Sequence, residues 1–263
     1  MEHTMTSHFK ALLIASFLLI CSANAQLNIG FRLPGKSFIQ HEGIPVELTL
    51  INNSGTQLIF GENSLSSGNI EFLIADRNNR LVKPFKADFN PAKGLILGSG
   101  ETKKLKFLLN KYYKLYKSGN YSITARVRHH KLGRHYYTTK RAQKLSIERG
   151  YLEPGNKKSF GVADPRDTDK VITRHYEILS YSKEKGDIYV LKIYDKKWIY
   201  AVHRIAPRVS GIPFKHDVDS FSNIHILAQM KPKVFKHAIY TNDGKLKQEK
   251  FYRASFESTP QLY

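Results

Sequence analysis

Nine lysines and four arginines lie between positions 101 and 144 against the single acid Glu101, a local net charge of +12. Guanidinium and ammonium groups at this density bind phosphate, sulfate or carboxylate through charge-assisted hydrogen bonds. Spacing sharpens the picture. Tyr121, Ile123, Ala125 and Val127 alternate with polar residues at the period of a half-buried strand, which sends Arg126 and Arg128 to the opposite, outer side. If Leu145 and Ile147 face inward on a neighbouring strand, Lys140 and Lys144 share that outer side, with Lys131 and Arg134 at the connection between them. Tyr136, or its neighbour Tyr137, supplies an aromatic face for stacking or cation–π contact. The expected polyanion-binding set is therefore Arg126, Arg128, Lys131, Arg134, Tyr136, Lys140 and Lys144. The competing reading is a solvated basic surface that keeps the chain soluble and discourages strand pairing at edges.

Other reactive residue types are present in weaker patterns. His129, His130 and His135 flank the same connection, but adjacent residues on a strand point to opposite faces, and no acid nearby completes a ligand set. A solvated loop is expected there, where histidine would add positive charge on acidification. Asp164, Asp167 and Asp169 lack the glycine and closing glutamate of a calcium loop and read as an acidic linker. His216, Asp217, Asp219, Ser220 and His225 contain the residue types of a hydrolytic triad without a nucleophile elbow. His41-Glu42 is followed by Gly43-Ile44-Pro45 rather than by the second histidine of a zinc-protease helix. Trp198 is expected in the core of a strand-rich unit rather than on a sugar platform. No phosphate loop or dinucleotide fingerprint appears. A non-enzyme without cofactor, metal site or catalytic residues is expected.

The elements that must hold these residues are strands. Residues 27–31, the alternation Ile44, Val46, Leu48, Leu50 ending at Asn52-Asn53-Ser54-Gly55, residues 57–60 and 70–75, and Leu105, Phe107, Leu109 are separated by turn signals at the spacing of an all-β sandwich. Residues 136–147 return beside the strand that begins at Tyr121. Leu115, then Gly119, then Tyr121 leading into an alternating run has the form of a tyrosine corner. With the Asn-Asn-Ser-Gly turn and Gly100-Glu101 before a strand, residues 44–147 resemble bacterial immunoglobulin-like modules of the proteinase-inhibitor and macroglobulin types. That resemblance implies a fold and leaves function open.

Residues 150–172 read as a linker, and residues 173–263 as a second antiparallel β domain, a six-stranded meander resembling no family. Its signals are the turn at residues 183–187, the hairpin Asn242-Asp243-Gly244 and a long loop over residues 207–222. At the N-terminus, Lys10, the apolar run 11–20 and Ala23-Asn24-Ala25 form a secretory signal with cleavage expected after Ala25. Ile20 before Cys21 argues against a lipid anchor there. The remaining chain, 26–149 being the immunoglobulin-like domain, has no cysteine and fits export to a bacterial periplasm or beyond. Its formal charge of +20 speaks to partners rather than fold. An exported binding or adhesion protein is expected, engaging an anionic polysaccharide or another polyanion. The alternative is a protein–protein module, such as a proteinase inhibitor or a partner in envelope assembly. No integral membrane segment is expected after signal cleavage.

Overall fold

The computed structural model describes residues 26–61, 67–85, 89–164, 166–182, 186–209, 211–255 and 258–262. The expected secretory signal, residues 1–25, lies outside the described residues. The chain is all-β, and the first part is built from β1 (Leu27–Arg32), β2 (Ser37–Ile39), β3 (Pro45–Asn52), β4 (Leu58–Ile59), β5 (Asn69–Asp76), β6 (Ile96–Leu97), β7 (Thr102–Leu108), β8 (Gly119–Arg128), β9 (Tyr137–Thr138) and β10 (Gln143–Glu148). One sheet has the order β1-β3-β7; the other runs β2-β10-β8-β5, with β9 also on β8. Alternation does the sorting. Val46, Leu48 and Leu50 from β3, Ile70, Phe72 and Ile74 from β5, and Ile123, Ala125 and Val127 from β8 share one core between the two sheets.

Two polar residues lock this sandwich. Tyr121 opens β8 as expected, and its hydroxyl donates to the Lys117 carbonyl at 2.9 Å, closing the tyrosine corner. Tyr121→Phe is expected to lower stability by about 1 kcal/mol, the usual net worth of one such bond, with little change in fold; equal urea midpoints for both proteins would remove the corner from the account. Asn52 takes the last inward position of β3 and is fully buried. Its Nδ2 donates to the carbonyls of Thr56, Leu97 and Gly98 at 2.7–3.0 Å, so it ties two turns to the strand end. Residues 136–147, expected as one returning strand, divide into β9 and β10 with a bend between.

The second part comprises β11 (Tyr151–Asp164), β12 (Asp167–Tyr181), β13 (Ile188–Tyr194), β14 (Ile199–Pro207), β15 (Lys215–Val218), β16 (Ile224–Lys231), β17 (Val234–Tyr240) and β18 (Leu246–Arg253). These form two four-stranded antiparallel sheets, each in chain order. Their facing sides share a core that includes Tyr176, Leu191, Ile193, Ile224, Ile226 and Ala238. The expected hairpin Asn242-Asp243-Gly244 joins β17 to β18. Gly244 has φ +86°, and a Cβ there would lie 2.1 Å from that of Ala201, so glycine is required on both counts.

The linker expected at residues 150–172 is corrected: it forms β11 and the start of β12, the two longest strands. Glu153-Pro154-Gly155-Asn156 is a bulge, where the register shifts between Leu152 and Lys157. Asp164 caps the turn through Oδ1, which accepts from the Arg166 amide at 2.9 Å, and Asp167 pairs with Lys170. β11 is an outer strand with no buried residue, so its polar, proline-containing sequence reads like a linker while its backbone pairs with β12 on both sides of the bulge. The long loop at 207–222 likewise contains a strand, β15.

The two parts abut. Ile39 of β2 is buried with Leu179, Tyr181 and Val190 of the second part. Arg204 on β14 pairs with Glu42, Nη2 to Oε2 at 2.9 Å, and also donates to the Ser37 carbonyl at 3.0 Å. Among the described residues no helix is long and apolar enough to cross a membrane.

Candidate anion-binding face

The outward side of the β2-β10-β8-β5 sheet carries the basic residues singled out by sequence. On β8 the burial pattern alternates without a break, placing Asn120, Ser122, Thr124, Arg126 and Arg128 away from the core. Pairing sets Glu71 of β5 and Thr138 of β9 on either side of Arg126, and Lys144 of β10 beside Ser122.

The arginines are not equivalent. Arg126 is clamped: its Nε and Nη2 donate to Glu71 Oε2 at 2.9 and 2.6 Å. Its guanidinium also lies 4.3 Å from the centre of the Tyr136 ring, with Arg128 at 6.0 Å from the same ring. Arg126 is therefore a support for Tyr136 and carries little free charge. Among the described residues no carboxylate pairs with Arg128, Arg134, Lys140 or Lys144. Lys131 donates to the Gln57 carbonyl at 3.1 Å.

The connection after β8 is held from below by His129. This residue is 1% exposed, where a solvated histidine was expected. Its Nδ1 accepts from the Lys131 amide at 3.2 Å, capping a single 3-10 turn over His130–Leu132. Its Nε2 lies against the Ile59 backbone, 3.2 Å from the amide nitrogen and 3.1 Å from the carbonyl oxygen. Burial pulls its pKa below the ordinary histidine range, and neighbouring His130 and Lys131 push the same way. The His130 ring stacks on that of His129, centroids 4.8 Å apart, so the turn buries one histidine and lays the other, exposed, over it.

Together these elements enclose a cleft of about 530 Å³ lined by Asn69, Glu71, Arg128, His130, Arg134 and Tyr136. Asn69 donates to Glu71 Oε1 at 3.3 Å, and its own Oδ1 is buried with no partner. Further along the same face a second depression of about 920 Å³ is lined by Lys36, Arg77 and Lys144 with Ser122, and also by the carboxylates Asp76 and Glu148. The six steps from Ser122 to Arg128 span about 20 Å at strand rise. That length suits a run of polymer rather than one small anion. Lys140 belongs to the bend between β9 and β10 and is exposed there, not part of a continuous strand. Asn69, Glu71, Lys36 and Arg77 escaped the sequence reading. Glu71 occupies an outward position of the alternating run 70–75, so its side of the sheet was readable, but its place opposite Arg126 is a register across 55 residues.

The other constellations are dispersed. His216 Nδ1 meets the buried Tyr176 hydroxyl at 2.6 Å, while Asp217 pairs with Lys158 at 2.8 Å. His225 bridges Asp219 and His237, at 3.1 Å to each. No serine hydroxyl joins His216 or His225 among the described residues, so the hydrolase-like set is not assembled. Trp198, expected in the core, is 68% exposed; it ends a turn whose amides at Lys197 and Trp198 donate to Asp195, and that turn points the ring outward.

No family model matches this chain, and neither does any curated protein. Among solved structures it is similar to the periplasmic chaperone SfaE, at 8% identity over 84% of this chain and 98% of that one, with a TM-score of 0.26. It is also similar to residues 217–571 of S. aureus TarS, at 9% identity over 88% of this chain and 56% of that one, with a TM-score of 0.23. Scores this low transfer no function.

Proposed function

We propose that this protein is an exported, non-catalytic binding module that engages an anionic polymer along the outward face of the β2-β10-β8-β5 sheet. The observation that carries this reading is the pair Arg128 and Arg134, both without a carboxylate partner, lining one cleft with Tyr136. Each guanidinium fork is free to take a carboxylate or sulfate in two parallel bonds. Tyr136, held flat by Arg126, offers its remaining surface to a sugar ring or apolar group. The unpartnered Asn69 Oδ1 needs a hydrogen-bond donor, which a hydroxyl-bearing acidic polysaccharide supplies and a bare phosphate chain does not. Lys144, Lys36 and Arg77 would then continue the track.

The test is binding of residues 26–263 to polygalacturonate, chondroitin sulfate, polyphosphate and neutral dextran across a salt series. Affinity should fall with salt as counterions are released, yet persist for an acidic polysaccharide at physiological salt. If polysaccharide and polyphosphate weaken in parallel and both vanish there, the charge is only a solubilising surface.

The alternative of a protein–protein module has its own candidate surface. All eight residues of β18 are exposed on an outer strand, Phe251 and Tyr252 among them. Strand addition there would persist in salt, which separates the two readings.

A further inference from the structure

Arg174, in the middle of β12, is 4% exposed and has no carboxylate partner among the described residues. Its Nη1 donates to the carbonyl oxygen and to Oδ1 of Asn242, both at 2.9 Å. Its guanidinium carbon lies 3.8 Å from the centre of the Tyr200 ring, and its Nε is buried with no acceptor. The nearby acids are taken. Asp195 accepts from the Tyr200 hydroxyl and two backbone amides; Asp243 accepts from Thr241 and pairs with Lys245 at 2.9 Å. The hydrogen bonds of this buried guanidinium go to neutral groups and Asp195 acts on it only through its field, an arrangement that an anion in direct contact would improve.

There is room for one. Arg174, Tyr200 and Asn242 line a cleft of about 530 Å³, a volume in the range of small-ligand sites, together with Phe221, Ser222 and Asp243, whose carboxylate is neutralised by Lys245. The strap over it is built rather than loose. Asp219 Oδ1 accepts from the amides of Phe221 and Asn223, Ser222 sits at φ 61°, and its hydroxyl donates to the Gly161 carbonyl at 2.8 Å. What this strap presents is Phe221, 82% exposed. A fixed, uncovered phenyl ring beside a buried cation that no carboxylate touches among the described residues defines both ends of a ligand.

We propose that this cleft binds the carboxylate of an apolar acid, with the carboxylate on Arg174 and the apolar group against Phe221 and Tyr200. A free aromatic acid and the C-terminus of a peptide ending in an apolar residue share this chemistry. The site is separate from the cationic face and does not depend on it.

The test is calorimetric titration of residues 26–263 with N-acetyl-phenylalanine and with its carboxamide. The acid should bind saturably and the amide at least about tenfold more weakly, because a site built for a charged partner rejects the analogue lacking it. Arg174→Gln should abolish the difference, and Phe221→Ala, an exposed position with no folding role, should weaken the acid while leaving the melting temperature unchanged. Neither substitution should alter polymer binding. Benzoate binding as well as N-acetyl-phenylalanine identifies a free acid; tighter binding of a tripeptide ending in phenylalanine identifies a peptide terminus. The proposal is overturned if acid and amide bind alike, if neither binds saturably, or if acid binding survives both substitutions.

Discussion

Replacing Arg128 and Arg134 together by glutamate is expected to reduce affinity for an acidic polymer by about two to four orders of magnitude at low salt. Each lost charge-assisted hydrogen bond is worth about 1.5–3 kcal/mol, so the pair accounts for about 3–6 kcal/mol, with about 1.4 kcal/mol per tenfold change. Introduced carboxylates add repulsion to the loss. Neither arginine has a carboxylate partner among the described residues, so the melting temperature should barely move. The dependence of affinity on salt should also become shallower, since fewer counterions are displaced. Arg126 behaves differently: its reversal sets two acids side by side with Glu71, and its effect should appear mainly as lost stability. Titration calorimetry with thermal melts of the same variants separates the two outcomes. Affinity held within about threefold by the double variant would remove the cleft from the binding track, because it is far less than two such bonds are worth.

How much of this was legible in the sequence depends on which force placed each residue. β8 was readable because one face is buried: Tyr121, Ile123, Ala125 and Val127 must alternate with polar residues, and that fixes the side taken by Arg126 and Arg128. The same parity stops at His129: His130 begins a 3-10 turn, and the two rings stack instead of facing opposite ways. What parity could not supply was depth, and His129 proved buried because Phe60 and the Ile59 backbone, some 70 positions earlier, close over it. β11 failed for the opposite reason. No residue of that outer strand is fully buried, and the alternation that places Phe160 and Val162 on the inner side is short and follows Pro154-Gly155, so pairing with β12 is what makes it a strand. Glu71 shows the limit most plainly. Counting acids near the basic stretch missed the one carboxylate that neutralises Arg126, because it arrives from another strand of the sheet.

His129 joins the fold to the candidate site, and its removal carries the larger expected loss of stability. His129→Ala deletes the cap on Lys131 and the bond to Ile59, and opens a cavity beside Phe60, which rests edge-on against the ring at 5.5 Å. Two hydrogen bonds at about 1 kcal/mol each with a small cavity give a cost of about 2–4 kcal/mol. The pH dependence should follow from the same burial. His41, His129, His216 and His237 all have pKa values lowered in the folded chain, first by burial and then by neighbouring positive groups. As pH falls through about 6.5, the unfolded chain takes protons that the folded chain refuses, so stability is complete above that value and is lost below it. Carboxylates do not blur this window. Asp219, held at about 2 against the opposing effect of burial by hydrogen bonds from Asn223 and His225, stays ionised throughout it. Urea midpoints measured at pH 7.5 and 5.5 should therefore fall for the native chain, and fall less for His129→Ala, which has one such histidine fewer. A midpoint that stays level or rises on acidification would contradict the burial assigned to these four rings. An unchanged midpoint in His129→Ala at pH 7.5 would mean that the turn carrying Lys131 and Arg134 is held by something else.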